Sequence, residues 1–139
     1  MDTRELIEKA LEAQGKAYVP YSNFRVGAAL ITEDDEIFTG CNIEISSYSP
    51  TLCAERTAIF KAVSEGHKKI KAIAIVGDAN FTYPCGVCRQ VIREFGKDAK
   101  IIVANSKDEY REYKLDELLP HSFGPENLEE ANTRGGKNV

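Results

Sequence analysis

The segment T51-L-C-A-E-R-T-A-I-F60 sets a thiol, a carboxylate and a guanidinium within four positions, at Cys53, Glu55 and Arg56. A second segment, Y83-P-C-G-V-C-R-Q-V-I92, adds thiols at Cys85 and Cys88. Two thiolates spaced C-x-x-C where a helix opens can hold one metal ion. The same spacing suits a redox dithiol or two small buried side chains. Cys53 supplies a third sulfur. All three stand at predicted helix starts, where the helix dipole favours the ionised thiolate. Three protein ligands leave the fourth position of a tetrahedral zinc open, the pattern of a catalytic site. Zinc lowers the pKa of a water held there toward about 7. Glu55, two residues from a ligand, is suited to take up that proton and hand it on. Three thiolates overcompensate Zn²⁺, so a neighbouring cation is expected. Arg56, three residues after Cys53, shares its helix face. Arg89, beside Cys88, could bond a thiolate likewise or pair with a surface acid. Cys41, in the apolar segment F38-T-G-C-N-I43, could close the site as a fourth ligand. An inert buried thiol is the commoner role there.

These residues need elements to hold them. Apolar side chains at Leu6, Ile7, Ala10 and Leu11 have helical spacing over 3–15, with Asp2 or Thr3 to start the helix and Gly15 to end it. R25-V-G-A-A-L-I-T32 and E36-I-F-T-G-C-N-I43 flank the turn Glu33-Asp34-Asp35 and read as a β-hairpin. A helix is predicted from Leu52 to about Gly66, a buried strand over 70–77, a second helix from Cys85 to Phe95 and a strand over 100–104. A short strand over 110–114 and a short helix over 115–119 follow, and the chain is tail-like from Pro120. Alternating strands and helices imply an α/β fold: one mixed five-stranded sheet with helices on both faces, a three-layer α-β-α sandwich. Both cysteine-bearing helices follow strand ends on the same edge of that sheet, so the three thiols can converge. One domain is expected over residues 1–128, with a flexible tail over 129–139.

Length and composition narrow the class. A chain of 139 residues with 42% apolar and 29% charged residues suits a single globular domain. A net charge of −4 argues against a nucleic-acid or anionic-membrane surface. No apolar run reaches the roughly 18 residues that span a bilayer. The acidic start M-D-T-R-E-L-I-E-K-A lacks the pattern of a secretion signal, and a cytoplasmic location is the expectation. Clustered cysteines in a reducing compartment point away from a disulfide framework.

C-A-E at Cys53–Glu55 followed by P-C-x-x-C at Pro84–Cys88 is a ligand and proton-carrier signature of zinc deaminases. The likeness extends over about residues 3–128, through P-Y-S-N-F-R-V-G-A-A-L from Pro20, G-C-N-I-E from Gly40 and C-A-E-R-T-A-I-F-K-A-V-S-E-G from Cys53. P-C-G-V-C-R-Q-V-I from Pro84 and E-L-L-P from Glu117 complete it. Together these stretches resemble the small homotetrameric cytidine deaminases. The resemblance implies one zinc per subunit on Cys53, Cys85 and Cys88, Glu55 as proton shuttle, and Arg56 hydrogen-bonded to ligand thiolates. It implies that Asn42 and Glu44 bind the ribose hydroxyls, that Phe24 packs on the substrate, and that the Ala54 backbone reads the exocyclic amine. Tyr48 and Phe123 would reach neighbouring subunits in a tetramer with shared active sites. Ile45 departs from the small polar residue usual at its position. The implied activity is hydrolytic deamination of cytidine and 2′-deoxycytidine to the uridine products, in pyrimidine salvage. Related deaminases act on an aminonucleoside antibiotic, guanine or tRNA adenosine. N42-I-E44 favours a free ribose, and the acidic balance disfavours tRNA. A structural zinc module dependent on Cys41 and a Cys85–Cys88 thiol oxidoreductase are the alternatives from other classes.

Overall fold

Asp2 opens the first helix, α1 (Thr3–Gln14), its carboxylate accepting from the backbone N–H groups of Arg4 at 2.6 Å and Glu5 at 3.3 Å. In the computed structural model, residues 2–138 are described, with side chains through residue 132. Leu6, Ile7, Ala10 and Ala13 form the buried face of α1. Leu11, expected inside, lies at its border and is exposed. The hairpin follows as β1 (Val26–Thr32) and β2 (Ile37–Cys41). Asp35 takes a positive φ in the turn between them, a conformation that Asp tolerates better than most residues. Then come α2 (Ala54–Ser64), β3 (Ile70–Gly77), α3 (Gly86–Phe95), β4 (Lys100–Ser106), β5 (Glu109–Lys114) and α4 (Leu115–Leu118).

The five strands form one sheet in the order β2-β1-β3-β4-β5. β3 and β4 pair in parallel through the α3 crossover, and the other three pairings are antiparallel. Because β1 runs antiparallel to both β2 and β3, those two strands point the same way. The chain leaves both at the same edge, and each exit leads to a cysteine-bearing helix. The expected three layers are present. Ala28, Leu30, Ile73, Ile75, Ile101 and Val103 face the side of α2 and α3. Their alternate neighbours Ala29, Ile31, Ala74, Val76, Ile102 and Ala104 face α1. This is the two-residue period of a sheet buried on both sides.

The end of the chain differs from the sequence expectation. Pro125–Asn138 forms a helix, α5, where tail-like chain was predicted from Pro120. Residue 128, the predicted domain limit, falls inside it. Val139, the last residue of the expected tail, lies outside the described residues. The buried Arg93 of α3 donates through Nε to Ser122 Oγ at 2.7 Å and pairs with Glu126. A charged side chain so deeply placed needs partners, and the segment leading into α5 supplies them.

Candidate active site

Gly40 decides where α2 begins. A Cβ on Gly40 would stand 2.5 Å from Ala58 N and 2.6 Å from Ala54 O, so β2 and the first turns of α2 touch through backbone. Thr57 Oγ1 adds a hydrogen bond to Cys41 O at 3.0 Å. The sulfur-bearing helix start is thereby fixed to the sheet edge. Cys53 is the N-cap of α2 and Cys85 that of α3, and neither makes a side-chain capping bond. N-caps are commonly Ser, Thr, Asp or Asn, whose oxygens satisfy the first N–H groups. A cysteine in this place leaves its sulfur free for another partner at the positive end of the helix.

The three sulfurs do converge. Cys53 Sγ lies 3.8 Å from Cys85 Sγ, and Cys85 Sγ lies 3.4 Å from Cys88 Sγ. All three fall within 4.8 Å of one another. Zinc–sulfur bonds of about 2.3 Å in a tetrahedron place sulfurs about 3.8 Å apart, so the residues fit the ion. Cys41 does not join them: its Sγ donates to Lys16 O at 3.4 Å. The donor set is therefore three thiols, and a closed four-cysteine site is not formed. Among the sulfurs alone, negative charge settles on Cys53. A hydrogen bond from Cys88, helped by Arg56, pulls its thiol down to about 5 against the opposing effect of burial. Cys88 is pushed the other way, chiefly by its hydrogen bond to Cys53 and by burial. Metal binding releases such shared protons.

Arg56 lies beside Cys53. Its Nη2 lies 3.5 Å from Cys53 Sγ and 3.4 Å from Thr51 O. Among the described residues its Nε is buried with no hydrogen-bond partner. An unsatisfied buried donor costs about 1–3 kcal/mol, so the guanidinium is held beside the sulfurs at some expense. Arg89 is a correction. Among the described residues it binds neither thiolate nor acid, but donates to Pro84 O and Leu118 O, both at 2.8 Å. It ties the loop ahead of Cys85 to α4.

Glu55 is 3% exposed, in the first turn of α2. Burial, with a further push from the Cys53 charge, raises its carboxyl to about 7. A carboxyl poised near neutrality can both donate and accept a proton at working pH. It lines a pocket of about 120 Å³ with Val26, Asn42, Cys53, Ala54, Thr82, Tyr83 and Cys85. Val26, Thr82 and Tyr83 were not foreseen. The available signal was position: Thr82 and Tyr83 directly precede P-C-x-x-C, and Val26 follows F-R.

The other expected residues separate into groups. Asn42 lines this pocket while bracing the entry to β1. Its Oδ1 accepts from Val26 N at 2.9 Å, and its Nδ2 donates to Phe24 O at 2.8 Å. An amide has two donors and two lone pairs, so one of each remains. Glu44 and Tyr48 instead line a neighbouring hollow of about 280 Å³ with Tyr21, Ser22, Ile45 and Thr51. Glu44 accepts from the backbone N–H groups of Tyr21 and Ser22, both at 3.0 Å, and from the Ser22 hydroxyl. The Ser22 bonds hold it below the usual carboxylate range. Phe24 is half-buried and does not line the catalytic pocket. Phe123 stands outside both hollows, its carbonyl held by Gln90 Nε2 at 2.9 Å.

A sheet edge carrying a three-thiol cluster at two helix starts, with a buried carboxyl beside it, defines a zinc-site protein of the deaminase type. The model for the cytidine and deoxycytidylate deaminase zinc-binding region matches residues 1–105, and the chain belongs to that family. A cytidine deaminase of Sporosarcina psychrophila is 50% identical over 130 residues, covering 92% of this chain and 96% of that one. One from Halalkalibacterium halodurans is 47% identical, covering 92% and 98%. The crystal structure of cytidine deaminase from Burkholderia pseudomallei superposes with a TM-score of 0.84 at 46% identity, covering 88% of this chain and all of that one.

Proposed function

We propose that this protein deaminates cytidine and 2′-deoxycytidine hydrolytically to uridine and 2′-deoxyuridine, serving pyrimidine salvage in the cytoplasm. The observation that carries the reading is Glu55, buried in a single-ring-sized pocket shared with the sulfur cluster. Zinc held by Cys53, Cys85 and Cys88 supplies Lewis acidity and makes a water more acidic at neutral pH. Glu55 would take a proton from the attacking water as its oxygen bonds to the amine-bearing carbon, deliver it to the adjacent ring nitrogen, and pass the proton of the new hydroxyl to the amine, so that the C–N bond breaks and ammonia leaves. Arg56 offsets thiolate charge that would otherwise blunt the metal. The Ala54 backbone would read the exocyclic amine, a role supported by Ala54 lining the pocket. Asn42 keeps one donor and one lone pair, and Glu44 one lone-pair site, for ribose hydroxyls. Family resemblance assigns Phe24 to pack on the substrate from outside this pocket lining.

Family relatives and the small pocket support a free nucleoside over a polymer. Among the described residues no helix is long and apolar enough to cross a membrane. The proposed assembly is a homotetramer in which Tyr48 and Phe123 complete neighbouring sites.

The test is ammonia release from cytidine by the zinc-loaded protein, paired with Glu55→Ala. The wild type should turn over, and the variant should lose about 10²–10⁴-fold in kcat with zinc retained. A fully metallated wild type inert toward cytidine and deoxycytidine would overturn the assignment.

A further inference from the structure

Tyr83 stands in the wall of the pocket that holds Glu55, yet the deamination steps above give it no work. It is two residues ahead of Cys85 and shares the pocket lining with Cys53, Glu55 and Cys85. It is also unusually well tied down. Its hydroxyl lies 2.5 Å from that of Tyr113 and accepts from Arg111 Nη1 at 3.2 Å. The two tyrosine rings meet at 5.6 Å, tilted by 59°. The Arg111 guanidinium in turn lies over the Phe81 ring, 3.9 Å from its centre. Phe81 N donates to Asn105 Oδ1 at 2.7 Å, which fixes the same loop to β4. Two side chains of the edge strand β5 therefore clamp the loop between β3 and α3 through one aromatic residue that faces the site.

The clamp does not hold the metal ligands directly. Arg89 already fixes the Pro84 carbonyl, and α3 carries Cys88. What the clamp fixes is the position of a large ring in a pocket of about 120 Å³. A pocket for a drug-sized ligand runs to about 300–1,000 Å³, so a displaced or missing ring changes this one proportionately more. We propose that Tyr83, held by Tyr113 and Arg111, sets the size of group accepted at the amine-bearing edge of the pyrimidine. It is a specificity-determining residue for the deamination proposed above, and the inference rests on that reading. In its native place the ring admits a bare amine and excludes an alkylated one.

The experiment compares kcat/KM for N4-methylcytidine and cytidine in zinc-loaded wild type, Tyr83→Ala, Tyr83→Phe and Tyr113→Phe. Water enters and methylamine leaves in place of ammonia, with uridine as the product of both. One methyl group in a tight pocket is worth about 10–200-fold. Tyr83→Ala should therefore raise the methylated-to-bare ratio at least about tenfold, with zinc content unchanged. Tyr83→Phe and Tyr113→Phe keep both rings and remove one hydroxyl, so they should raise the ratio less, and Tyr113→Phe, changed outside the pocket lining, should keep its cytidine kcat. They also decide the matter if the alanine variant does not fold. An unchanged ratio in every folded, zinc-loaded variant overturns the inference while leaving the deaminase reading intact. A wild type inert toward cytidine overturns both.

Discussion

Glu55 carries a pH signature apart from turnover. In the chelated protein its folded carboxyl titrates at about 7, against an ordinary value of 4.5. The folded state then holds a proton on Glu55 that the unfolded state releases between those values, so the contribution of Glu55 to stability falls as pH rises from about 4.5 through 7 and flattens above. The shift corresponds to roughly 3 kcal/mol. Cys53, lowered to about 5, acts in the opposite direction in both proteins, so the difference isolates Glu55: the denaturant midpoint of the chelated wild type minus that of Glu55→Gln, which stays neutral, should fall across that window. Parallel pH profiles for the two proteins would show that burial does not raise this carboxyl. Residue types and spacing made the three ligands, Glu55 and Arg56 legible in the sequence, because each is adjacent to a helix start that local pattern reveals. Arg89 was not legible. Its partners are the carbonyls of Pro84 and Leu118, and backbone acceptors leave no mark in the sequence. Tyr83 was missed for a related reason. The residues that give it purpose, Arg111 and Tyr113, lie on a strand that packs beside it only after folding.

At the scale of elements, two glycines let helices rest directly on strands from opposite faces. Gly40→Ala places a methyl against Ala54 O and Ala58 N of α2. Gly27→Ala places one 2.1 Å from Ala10 O of α1. Each should cost about 1–3 kcal/mol of stability through overpacking. Their effects on zinc should differ. Gly40→Ala shifts the helix that Cys53 caps and should weaken zinc binding, as read by competition with a chromophoric chelator. Gly27→Ala acts through the other layer and should leave zinc affinity near wild type. Equal losses of affinity would mean that the site responds to general stability and not to the seating of α2. Strand period and hairpin signals exposed the sheet in advance, since both layers bury alternate residues of the same strands. The last helix was hidden. E-N-L-E-E-A-N offers a weak apolar stripe, and what fastens it is the buried Arg93 of α3 reaching Ser122 and Glu126. A tertiary anchor of that kind overrides local propensity.

For the whole molecule, the question is whether one chain completes its own site. Tyr48 is 83% exposed and Phe123 57% exposed. Phe60, Val87 and Leu128 are also exposed apolar side chains. Single exposed apolar residues are ordinary, but large aromatics left this open are typical of surfaces that another subunit covers. The backbone of Phe123 is held by Gln90, so its ring is presented outward on a fixed base. The proposed tetramer turns these facts into a complementation experiment. Glu55→Ala subunits retain Phe123 but cannot move the proton. Phe123→Ala subunits retain Glu55 but lack the aromatic contribution. Allowed to exchange subunits at equal concentration, the two should recover up to about one quarter of wild-type kcat/KM, because half of the Glu55-bearing sites meet an intact neighbour. Zinc content and assembly size, followed by sedimentation, should match wild type throughout. Self-contained sites would give no more than the average of the two parent variants. That outcome would remove Phe123 from the neighbouring subunit's site while leaving the sulfur cluster and Glu55 where they are.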